Sequence, residues 1–93
     1  MNKVKITWKA FADRPALGDD KVTSVELDTE LYVTPLEFCN MVFRATNTYN
    51  GALWDLIEPK LSPKRTHTAL SVGDEVTVDD VTYRCERAGW SVV

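Results

Sequence analysis

The stretch Ser71–Val93, SVGDEVTVDDVTYRCERAGWSVV, decides the fold. Within it Val76, Val78, Val81, Tyr83, Cys85 and Trp90 supply an alternating apolar wall, the period-two pattern of strands with one buried face. Strands are predicted at Glu75–Val78, Val81–Glu86 and Trp90–Val93, with turns at Asp79–Asp80 and Ala88–Gly89. That is a three-stranded antiparallel meander. Gly73 and Asp74 mark its start, and their chemistry reads as turn punctuation.

Working outward, Val4, Ile6 and Trp8 alternate with Lys3, Lys5, Thr7 and Lys9, which predicts a first strand with one buried and one basic face. The lysine row suits protection of a sheet edge. Residues 11–21, FADRPALGDDK, gather Pro15, Gly18, Asp19 and Asp20 and read as turns. A second strand is expected over Thr23–Leu27, with an extended approach at Leu31–Val33.

A capping box follows: Thr34 at the N-cap, Pro35 at the first helical position and Glu37 three residues after the cap. From Pro35 a helix is predicted whose buried stripe is Leu36, Cys39, Val42, Phe43 and Thr46, widened by Phe38 and Met41. Asn47, Asn50 and Gly51 favour its end, and Leu53, Trp54 and Ile57 restart helical spacing until Pro59. Residues 60–70, KLSPKRTHTAL, read as the main exposed connection. Strands first, helices in the middle and strands last define an α+β class: a small, mostly antiparallel sheet of four or five strands. One main and one short helix pack on one face.

The totals exclude several functions. A chain of 93 residues is expected to form one domain over 1–93. Fourteen acidic residues against eleven basic give a net charge of −3, which offers no general footprint for a phosphate backbone. No apolar run approaches the roughly 18 residues of a membrane span, and the N-terminus alternates where a signal peptide would be apolar. A cytoplasmic setting without membrane contact is expected. Cys39 and Cys85 are read as reduced, buried side chains, and with His67 the only histidine they lack zinc-ligand spacing.

Two segments together carry a resemblance. FRATN at Phe43–Asn47 and the residues Leu70, Ser71, Val72, Gly73, Asp74, Val76, Val78, Asp79, Tyr83, Cys85, Gly89 and Trp90 resemble small uncharacterised accessory proteins encoded by actinobacterial phages and plasmids. At Asp80 the sequence departs from that pattern, which has glycine there, and Asp takes positive φ less readily. The resemblance implies an accessory gene acting in the host cell and supplies no catalytic residue.

Candidate chemistry is set against plainer readings. Asp74, Glu75, Asp79 and Asp80 offer oxygen ligands but not the spacing of a calcium loop. Ser71 and His67 lack a nucleophile elbow, and Thr66, His67, Thr68 and Ser71 suit backbone capping. Lys3, Lys5, Lys9, Lys60, Lys64 and Arg65 lack the groove-reading helix of a DNA binder. Trp8 and Trp90 read as core, and Trp54 stands open between core and interface. No catalytic, cofactor or metal site is expected. The predicted protein-binding surface is Tyr49, Leu53, Trp54, Ile57, Lys60, Lys64 and Arg65.

The leading functional expectation is a non-enzymatic phage accessory protein that binds a host or phage protein and modulates host growth or defence. A small nucleic-acid-associated regulator ranks second and a cryptic hydrolase or enzyme subunit third. The chain is expected to be a monomer or a weak homodimer joined at a sheet edge, where Val92 and Val93 offer pairing positions.

Overall fold

Alternation of apolar and polar side chains builds the sheet. In a computed structural model, which describes residues 1–9, 24–61 and 69–93, the strands are β1 (Asn2–Thr7), β2 (Ser24–Thr29), β3 (Glu75–Val78), β4 (Val81–Glu86) and β5 (Gly89–Val92). They form one sheet in the order β2-β1-β3-β4-β5, and all neighbours are antiparallel. Between β2 and β3 come α1 (Pro35–Thr48), α2 (Ala52–Ile57) and a 3-10 turn at Glu58–Lys60. The α+β class and the C-terminal meander stand as the alternation predicts.

Val4 and Ile6 of β1, Val25 and Leu27 of β2 and Val76 and Val78 of β3 are buried in one cluster with Phe38, Cys39, Val42, Ala45, Trp54 and Ile57 of the helices. Both helices therefore cover the same sheet face. Each large apolar side chain so buried contributes roughly 1.5–3 kcal/mol, and a one-residue slip would turn the whole set outward. Burial thus fixes the register.

The lysine row has a different reason from the one expected. β1 is an interior strand, flanked by β2 and β3, so Lys3 and Lys5 protect no edge. They stand directly opposite Asp28 and Glu26 of β2, where opposite charges support pairing.

Thr34 caps α1 as predicted, its Oγ1 accepting the Glu37 N–H at 3.2 Å. The buried stripe is Phe38, Cys39, Val42, Ala45 and Thr46, whereas Leu36, Met41 and Phe43 are exposed. Short Ala45 turns inward because it lies on the face centred on Val42, and Leu36 and Phe43 fall at its margin. The helix ends at Tyr49, not at an asparagine or glycine: Tyr49 takes the left-handed conformation (φ 56°, ψ 36°) and donates its N–H to Ala45 O at 2.9 Å.

Other boundaries shift slightly. β2 runs to Thr29, the last turn is Arg87–Ala88, and β5 begins at Gly89. Leu31–Val33 is a bend outside the sheet. At Asp79 and Asp80 φ is 46° and 74°, so the tight two-residue turn forms without a glycine. The turn expected over residues 11–21, the strand start at Thr23 and most of the 60–70 connection lie outside the described residues.

Candidate functional site

The end of α1 and the segment that leads into β3 meet at Leu70. Thr46, fully buried in α1, accepts the Leu70 N–H on Oγ1 at 3.1 Å and donates its hydroxyl to Phe43 O at 3.1 Å. Asn47 Nδ2 donates to Phe43 O at 2.8 Å and reaches Leu70 O at 3.5 Å. Thr46 and Asn47 thus lock the helix end onto the segment that leads into β3. This is a packing joint.

Asp74 belongs to the same joint. Only 1% exposed, its carboxylate accepts the N–H of Lys9 at 2.7 Å and of Ser71 at 2.8 Å. Its backbone carbonyl accepts the Cys85 N–H at 2.8 Å, and the Gly73 N–H donates to Cys85 O at 2.9 Å. Glu75, also buried, lies 3.2 Å from Lys9 Nζ through Oε1 and 3.2 Å from Arg84 Nη2 through Oε2. Buried carboxylates require such partners. Asp79 accepts the Lys3 N–H at 2.8 Å and bonds the Asn2 amide, which hold its pKa below the ordinary aspartate range.

These acids are spread along a strand and its turns, and no group of three metal-ligating side chains converges among the described residues. Cys39 and Cys85 carry free, buried thiols. Burial pushes the Cys39 thiol up to about 12, with the neighbouring Cys85 adding to the rise. The outer face of the sheet holds an open depression of about 570 Å³ lined by Lys3, Lys5, Glu26, Asp28, Thr77, Asp80 and Lys60. Its lysines and acids balance, so it presents no single sign of charge to a ligand.

The predicted protein-binding surface divides. Trp54 and Ile57 are buried, at 3% and 0% exposure, and belong to the core. Their apolar side chains close the space between α2 and the sheet, so neither faces a partner. Tyr49 is 55% exposed and packs edge-on against Trp54, with ring centroids 5.4 Å apart and planes at 72°. Leu53 is half-buried and Lys60 is exposed. Lys64, Arg65 and His67 lie outside the described residues. Leu56, 48% exposed, was not singled out in the sequence, although its position three residues after Leu53 puts both on one side of α2. Trp90 is half-buried, its Nε1–H donating to Asn40 Oδ1 at 2.9 Å, and Trp8 is buried.

The geometry therefore leaves Tyr49 at the end of α1, Leu56 on α2 and Lys60 beyond exposed, with Leu53 half-buried. Among the described residues no helix is long and apolar enough to cross a membrane. No protein-family model, curated protein or solved structure matches this chain.

Proposed function

We propose that this chain is a small non-enzymatic accessory protein, of the kind encoded by actinobacterial phages and plasmids, that binds a host or phage protein and so modulates host growth or defence. The observation that carries the binding reading is Tyr49: an aromatic residue in the left-handed region, 55% exposed and held against a buried tryptophan. Most non-glycine residues avoid that conformation, and tyrosines are enriched among the residues that anchor protein interfaces. Leu53 and Leu56 extend the apolar area, and Lys60 supplies a polar rim. Asp74, Glu75 and Asp79, the acids best suited to chemistry, are engaged in holding the fold.

The test compares a tagged wild-type chain with a Tyr49→Ala, Leu56→Asp double variant in a host lysate, with growth scored beside capture. Recovery of one defined protein by the wild type, and its loss in a folded double variant, supports the reading. Retardation of DNA or RNA that weakens as salt rises, with no protein recovered, overturns it in favour of the nucleic-acid alternative.

A further inference from the structure

β5 is an outer strand of the sheet, and the hydrogen bonds on its inner side define what its outer side presents. Val93 N–H donates to Thr82 O at 2.9 Å, and Ser91 stands opposite Arg84. In an antiparallel pair hydrogen-bonded and non-hydrogen-bonded positions alternate, so Ser91 bonds inward to β4 while the N–H and C=O of Trp90 and Val92 point away from it. Among the described residues no strand pairs with this outer side, which carries two donor and acceptor sets, two residues apart.

Side-chain direction follows from the same register. Trp90 pairs with Cys85 and Val92 with Tyr83, and Tyr83 pairs with the buried Val76, so Trp90 and Val92 lie on the face that the helices cover. Val92 is nevertheless 67% exposed. The edge from Gly89 to Val92 has no charged residue and no proline, the usual guards of an outer strand.

We propose that β5 pairs antiparallel with β5 of a second copy about a two-fold axis at Ser91, joining two sheets into one. In that register Trp90 stands opposite Val92 of the partner subunit, and both present their outward backbone groups. The same holds for Val92 and Trp90 of the partner subunit, so every outward group between Trp90 and Val92 finds its complement. The side chains agree as well: each exposed Val92 meets the Trp90 ring on the helix-covered face, and the two Ser91 side chains meet on the other.

Charge selects this edge over the opposite one. β2 is the other outer strand, and self-pairing about Leu27 would set Glu26 against Asp28, a like-charge opposition on the polar face. The inference uses no residue of the α2 surface, so it stands or falls separately from the proposed function.

Sedimentation equilibrium of the whole chain from micromolar to millimolar concentration reads the association. Two variants read the register. Val92→Pro removes only an outward-pointing donor and leaves the β4 ladder intact, so it is expected to weaken dimerisation roughly tenfold or more while keeping the thermal transition. Should that variant lose its fold, V92K takes its place. At the axis the two Ser91 Cα atoms would lie about 4.5 Å apart, inside the range of about 4.4–6.8 Å that a disulfide spans. S91C treated with glutathione disulfide is expected to give a covalent dimer, because Cys39 and Cys85 are buried, and adding V92P is expected to abolish it. A wild type that stays monomeric throughout, or a dimer that V92P leaves unchanged and S91C does not cross-link, overturns the proposal.

Discussion

The carboxylate of Asp79 accepts the backbone N–H of Lys3 at 2.8 Å, joining residues 76 positions apart. The reciprocal bond, from Asp79 N–H to Lys3 O at 2.9 Å, makes the β3–β4 turn an extension of β1. The turn is thus fastened to the sheet it reverses.

The Lys3 N–H, and after it the Asn2 amide, hold Asp79 below its ordinary value of 3.8. On unfolding that value is regained, so the unfolded chain binds the proton more readily. The stabilisation is therefore complete above the ordinary value and is lost as pH falls through the depressed folded value. Asp79→Asn is expected to lower the melting temperature at neutral pH, with the gap from wild type closing in acid. Thermal melts across the acid range measure this; a constant gap would contradict it.

Asp80, with φ 74°, occupies a turn position whose left-handed conformation glycine takes without penalty. Asp80→Gly should relieve the left-handed penalty and stabilise the fold by up to about 1 kcal/mol. Urea denaturation of the two chains decides the sign.

Asp74 is the acid most deeply committed to structure. Asp74→Ala leaves the part-buried Lys9 and Ser71 N–H groups without that acceptor, and each unsatisfied donor costs up to about 1–3 kcal/mol, least where water can reach it. A loss of roughly 2–4 kcal/mol in denaturant unfolding is expected. Unchanged stability would return Asp74 to the pool of functional acids.

Cys39 is expected to resist thiol reagents at pH 8 in the folded chain and to react on unfolding, because burial pushes its thiol from 9.0 up to about 12. The sign of the linkage is the opposite of that at Asp79. The contribution is fully present below 9.0 and is lost as pH rises toward about 12, since the unfolded thiol ionises first. Labelling with a chromogenic disulfide, with and without denaturant, measures the protection.

Trp54 and Tyr49 touch each other yet should behave differently. Trp54→Ala opens a core cavity and is expected to cost about 3–5 kcal/mol, enough to unfold much of a small domain. Tyr49→Ala should cost less than about 1.5 kcal/mol, because its ring is more than half exposed. Circular dichroism melts of both variants test the division between core and surface.

Much of the fold was legible along the chain. The limits of β3 and β4 and the N-cap of α1 follow from alternation and from the Thr34–Glu37 spacing, both short-range effects. The end of α1 was not legible. Asn47, which suggested a cap, is instead bonded to Phe43 O, and Tyr49 takes the left-handed position against Trp54, a ring five residues on. Helical spacing identified Leu53, Trp54 and Ile57 as one apolar group without saying which of them the sheet would cover.

The sequence by itself determined which residues alternate, which start a helix and which form turns, because these depend on neighbours a few positions away. Only the tertiary structure decided that β1 lies inside the sheet, that Lys3 and Lys5 face acids, that Asp74 and Asp79 pin strands, and that β5 remains an uncharged edge. Strand order is set by contacts between residues as distant as Lys3 and Asp79, where burial and hydrogen bonding act across space and leave no local pattern.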